Sequence, residues 1–135
     1  MDCIFCKIVG GQINAKILQE TEKSIAFLDA FPLTKGHTLV IPKNHHAKIQ
    51  DMSSEENSDL FSLVHQMISK VDALTGATLV AIHNGKDAGQ EIPHVHVHLV
   101  PRSSSDSAGA IHSMFSGAMK LSDSETDEIY KKLAK

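Results

Sequence analysis

No stretch of the chain is apolar for long enough to cross a bilayer, which takes about 20 consecutive residues, and no membrane partner is expected. No run of lysine and arginine suits a nucleic-acid backbone, so no nucleic-acid partner is expected either. Lys131, Lys132 and Lys135 read instead as the solvated end of a helix, where cations are favoured. No charged-then-apolar leader precedes the first motif, and a cytoplasmic location is expected. No segment repeats. Only two cysteines occur, Cys3 and Cys6. Two intervening residues are too few for a staple across a domain, and the spacing suits metal ligation or redox exchange. A thioredoxin-like pair follows a strand; none precedes Cys3, which makes redox the minor reading.

What remains is a chain of 135 residues, 41 % hydrophobic and with net charge −3, which suits a single soluble domain over 1–135 with a sizeable core. Its most informative stretch is His94-Val95-His96-Val97-His98-Leu99-Val100-Pro101-Arg102. Strict alternation puts the three imidazoles on one face of a strand, and Val95, Val97 and Leu99 on the other. Imidazoles attack, exchange protons or ligate metal near neutral pH. One strand histidine is usually a solvated face residue. Three in alternation, straight after the loop Asn84-Gly85-Lys86-Asp87-Ala88-Gly89-Gln90, point to a site.

The rest of the chain supplies a scaffold. A short helical turn is expected from Cys3 to Val9, then strands over 15–21, 24–30, 37–41, 78–83 and 94–100. Ser53 and Glu56 form a candidate capping box for a helix over about 54–75. Its stripe is Leu60, Val64, Met67, Val71 and Leu74, widened by Phe61 and Ile68, with His65 at the boundary. Gly76 stops it. Residues 103–109 read as a polar, mobile linker, and Ser122 with Glu125 caps a last helix carrying Ile129, Tyr130 and Leu133. The fold class is α+β: a five-stranded antiparallel meander, one long helix between strands three and four, and a C-terminal helix. Residues 1–102 form the catalytic core and 103–135 the linker and last helix.

His94-x-His96-x-His98, Gly36-His37, Ile41-Pro42-Lys43 and Asn84 to Gln90 together resemble the histidine triad (HIT) family of nucleotide hydrolases and transferases. The likeness is strongest to its Hint-like branch. It implies an antiparallel sheet, a homodimer and a purine nucleotide substrate. By this resemblance His96 is the nucleophile that takes the nucleotidyl group, and His98 is the phosphate-side histidine. His37 is a further histidine near the α-phosphate; on its own it would be read as a solvent-facing strand start. Asn84, Gly89 and Gln90 border the phosphate, with Gln90 counted among the catalytic groups. Ile4, Phe5, Ile8, Phe27 and Ala30 match the purine pocket, and Asp29 matches the acceptor of both ribose hydroxyls. Without the resemblance these would be read as core and a turn acid.

Some HIT proteins bind structural zinc, and the likeness assigns Cys3, Cys6, His45 and His94 as ligands, with His46 the alternative third. Two features depart from the Hint-like branch. Glu91 stands where a serine usually touches the scissile phosphate or leaving group, and the tail after Arg102 is not the short aromatic one. The expected activity is hydrolysis of purine nucleoside phosphoramidates or related nucleoside 5′-phosphate derivatives through a nucleotidyl-histidine. The rivals are a dinucleoside polyphosphate hydrolase, a nucleotide-binding interaction protein and a small zinc-binding adaptor.

Overall fold

The computed structural model describes residues 2–109 and 117–134. Helix α1 (Ile4–Val9) leads into strands β1 (Ile17–Glu20), β2 (Ser24–Leu28) and β3 (Thr38–Pro42). The long helix α2 (Ser54–Asp72) follows, then β4 (Thr78–Ile82), β5 (Val97–Pro101) and α3 (Asp123–Leu133). All pairings are antiparallel, in the order β1-β2-β3-β5-β4. The first three strands follow sequence order; α2 then carries the chain across the sheet, and β5 returns to fill the gap beside β3.

Helix α2 starts where the capping box was expected. The Ser53 side chain accepts from the Glu56 amide, and the Glu56 carboxylate accepts from the Ser53 amide. These bonds, with those from His46 and Asn44, hold the Glu56 carboxyl down at about 2 despite burial. The helix ends at Asp72, short of the expected 75, because Leu74 and Thr75 tighten into three-residue turns before Gly76. Leu63 joins Leu60, Val64, Met67 and Val71 in the core, while Phe61 and Leu74 stay 37 % and 60 % exposed.

Sheet parity divides the interior. Ala26, Val40, Val95, Val97 and Leu99 face α2 and pack against its stripe. Ile25, Phe27, Leu39 and Ile41 face the other way and pack with Cys3 and Phe5 of the N-terminal segment. The histidine row lies on this second face.

One expectation is corrected. Regular pairing in β5 starts at Val97, not His94: the ladder to β3 ends at Val40–Val97, and Pro42 offers no donor to extend it. His94 to His96 leave the ladder for local partners, with His94 N–H turned back to Ile92 O and Val95 N–H donating to His46 O, each at 2.8 Å. Residues 103–109, expected as a polar linker with turn chemistry, carry a local hydrogen-bond network. Arg102 donates twice to Asp106 and once to Gly109 O, and Asp106 accepts from the Ser103 and Ala108 amides. That knot holds the Asp106 carboxyl well below its usual range, with the Arg102 bonds the largest cause. Helix α3 has the expected Ser122–Glu125 box and buries none of its residues.

Candidate functional site

A cavity of about 660 Å³ opens on the second face of the sheet, within the range of small-ligand sites. Ile4, Phe5, Ile8, Phe27 and Ala30 line its apolar end, joined by Ile13, Ala15 and Leu39. Asp29, His37, His96 and His98 also line it, with Gly89, Glu91 and His83. Strand register explains the grouping. Phe27 pairs Leu39, and Leu39 pairs His98, so Asp29, His37 and His96, each two residues along, share their face.

Hydrogen-bond direction fixes what each imidazole offers. A carbonyl oxygen only accepts, so His96 Nδ1 donates to His94 O at 2.7 Å, leaving the Nε2 lone pair free. The Leu33 amide donates to His37 Nδ1 at 3.0 Å, so the proton of neutral His37 sits on Nε2. That Nε2 donates to His98 Nδ1 at 2.9 Å, which places the His98 proton on its own Nε2. The row therefore presents a lone pair at His96 and a donor at His98, with ring centroids 4.9 Å apart.

Burial keeps these rings neutral. It is the largest cause lowering His37, His94 and His96, and it pushes His98 down to about 4 with help from His96, His37 and His83. Asp29 Oδ1 accepts from the Phe31 amide at 2.9 Å, while Oδ2 faces His37 Nε2 at 3.5 Å.

Beyond Phe5, whose ring touches both His94 and His96, four ligating groups converge. His94 Nδ1 lies 3.5 Å from Cys3 Sγ and 3.6 Å from Cys6 Sγ, and His45 Nδ1 lies 3.4 Å from Cys6 Sγ. All four atoms fall within 4.8 Å of one another. A tetrahedral zinc with ordinary bond lengths spaces sulfur and nitrogen about 3.6 Å apart, so the donor set fits. His94 Nε2–H donates to Pro42 O at 2.8 Å, the outer bond that turns Nδ1 toward a metal. His46, the alternative ligand, is turned away and bonds Glu56 at 2.9 Å.

Asp29, His37 and His98 also lie close enough to share a cation. The bonds argue otherwise: a metal on His37 Nε2 would force the proton onto Nδ1, against the Leu33 N–H.

Two expected phosphate residues do not reach the cavity. Asn84 bonds the Ile49 amide and Gln50, tying its loop to the segment after β3. Gln90 accepts from the Gly85 amide and donates to Ala47 O and Ile92 O, so its amide braces the loop. His83 is the residue the sequence reading missed. Its signal was parity: Ala81 pairs His98, so His83, two residues on, shares the face of the row. His65 lies exposed on the outside of α2.

A sequence profile of the HIT domain matches residues 10–105. Adenosine 5′-monophosphoramidase hnt1 of Schizosaccharomyces pombe is 44 % identical over 102 residues, covering 76 % of this chain and 75 % of that protein. The crystal structure of a HIT family member from Bacillus subtilis superposes with a TM-score of 0.85 at 29 % identity, covering 99 % of this chain and 96 % of its own. A zinc-bound histidine triad family protein from Mycobacterium smegmatis gives 0.70 at 37 % identity, covering 81 % of each chain.

Proposed function

The chain belongs to the HIT family, and from that we propose that it is a nucleotide hydrolase acting on purine nucleoside phosphoramidates or related nucleoside 5′-phosphate derivatives through a nucleotidyl-His96 intermediate. The observation that carries the reading is the free Nε2 lone pair of His96, neutral through burial and open to a cavity with an apolar end. The purine sits among Ile4, Phe5, Ile8, Phe27 and Ala30, and the ribose hydroxyls donate to Asp29. His96 Nε2 attacks phosphorus, and His98 Nε2–H donates to a phosphate oxygen as negative charge builds there. His37 holds His98 in the donating tautomer.

Glu91 favours phosphoramidates over dinucleoside polyphosphates. Glu91 lines the cavity with His96, and a chain of further phosphates there would meet like charge. The test is a rate panel of adenosine 5′-phosphoramidate against diadenosine tri- and tetraphosphate. Turnover of the first with the others slow supports the reading; turnover of none removes it.

Cys3, Cys6, His45 and His94 would hold zinc, and bound there it would supply a structural cross-link between the N-terminus, the loop after β3 and the histidine segment. Cys3 and Cys6, free thiols rather than a disulfide, fit a reducing compartment, in keeping with a cytoplasmic protein. The chain 1–135 then works as one unit, and as a homodimer. The edge of β4 supports dimer formation, since it is open on one side with Val80 45 % exposed. A sedimentation experiment reads the dimer directly.

A further inference from the structure

The scheme above leaves one requirement unmet: a proton for the leaving group, and later a base for the attacking water. His96 is occupied as nucleophile. His98 is a fixed donor, because giving up its Nε2 proton would require a new one from His37, whose Nδ1 is closed by the Leu33 N–H. His94 is turned to Pro42 O and the thiols.

His83 has no such commitment. It follows β4, on the sheet face shared with His96 and His98, and its ring centroid lies 5.5 Å from that of His98. Its Nδ1–H donates to Ala88 O at 2.7 Å, which leaves Nε2 without a partner among the described residues. Gly89 makes room for this seat. Its φ is +97°, and a Cβ there would come within 3.1 Å of His83 Nδ1. The charged or titratable groups facing His83 in the cavity are His96 and His98 on the histidine segment, His37 before β3, Asp29 after β2, Glu91 after the loop and Lys16 before β1.

We propose that His83 is the general acid and base of this site, a catalytic residue acting on the leaving group and then on water. The inference rests on the hydrolase reading. In the first step the His96 Nε2–P bond forms, the bond from phosphorus to the leaving group breaks, and imidazolium His83 passes its Nε2 proton to that group. In the second, water oxygen bonds phosphorus, the P–N bond to His96 breaks, and neutral His83 takes the water's proton. Both ring states return to their start, and Nδ1 keeps its bond to Ala88 O throughout. Water enters where the leaving group left, so one residue serves both steps.

The test compares two leaving groups in His83→Asn. An adenosine 5′-phosphoramidate of a simple alkylamine needs a proton to leave; the 4-nitrophenyl ester of AMP does not. First-turnover cleavage of the amine substrate should fall by on the order of 10²–10³-fold. First-turnover release of nitrophenolate should stay within about 3-fold of wild type and appear as a burst, followed by slow turnover. His83→Gln should behave alike, and AMP binding and the melting temperature of each variant report that it is folded. Equal losses on both substrates, or none on either, overturn the role of His83 while the hydrolase reading stands. Wild-type protein that cleaves neither substrate overturns the hydrolase reading, and this inference with it.

Discussion

His94 and His98 lie four residues apart on one segment and carry the same side chain, yet their ring nitrogens are turned to opposite partners. His94 gives its Nε2 proton to Pro42 O and turns a bare Nδ1 toward two thiols. His98 receives a proton at Nδ1 from His37 and turns Nε2–H to the cavity. Between them, His96 gives its Nδ1 proton to a carbonyl and keeps a bare Nε2 for the cavity. Alternation placed the three rings on one face. Which nitrogen is free was decided by a backbone carbonyl at His94 and His96 and by the His37 ring at His98, and under the proposed function that choice separates a ligand, a nucleophile and a donor.

The largest effect should come from the middle of the row. His96→Ala should reduce turnover by roughly 10⁴-fold or more while AMP binding persists, because the pocket and Asp29 remain. Near-normal hydrolysis by this variant, measured on adenosine 5′-phosphoramidate, would erase the distinction between His96 and its neighbours. At the other end of the row the effect should be on stability. Cys3→Ser with Cys6→Ser should lower the melting temperature by on the order of 10 °C, and a chelator should reproduce the shift. Elemental analysis should find about one zinc per chain. An unchanged melting curve would make His94 an ordinary buried histidine.

Acid should act on the whole row. His37, His94, His96 and His98 have folded values below the ordinary one, His98 at about 4, so the unfolded chain takes up protons first. Their neutral burial is fully tolerated above the unfolded value of about 6.5, and stability is lost as pH falls from there toward 4. Thermal melts across that window should show the decline, with a shallower slope in His98→Asn. A melting temperature flat from 6.5 to 4 would mean that the rings are not held neutral.

Asp29→Asn should weaken ribonucleotide binding by about 1–3 kcal/mol, with a smaller loss for the 2′-deoxy nucleotide. Calorimetry with both ligands decides it, equal losses counting against a bond to the 2′-hydroxyl. The smallest effect belongs far from the row. Ser53→Ala should cost about 1 kcal/mol in denaturant melts through the lost cap, with turnover unchanged.

The α2 face was the more legible half of the molecule. Periodicity and the Ser53–Glu56 box name the helix, and alternation at Val95, Val97 and Leu99 names the surface that it covers. The other face was legible through the HIT motif and then only by residue. Phe27, Asp29 and His37 line the cavity, whereas Asn84 and Gln90 brace loops, because their amides find backbone partners that no motif records. His83 escaped because its place depends on the β4–β5 register, which requires knowing that β5 crosses to lie beside β4 and β3. The Arg102–Asp106 knot escaped for a simpler reason. A serine-rich composition reads as a linker until one aspartate collects its donors.

The assignment of protons to ring nitrogens carries the whole account, and imidazole ¹⁵N–¹H correlation spectra of the neutral protein read it without substrate. The expected pattern is a protonated Nδ1 with a bare Nε2 at His96, and a protonated Nε2 at His37, His94 and His98. A protonated Nε2 on His96 would leave no lone pair facing the cavity and would contradict its place as nucleophile.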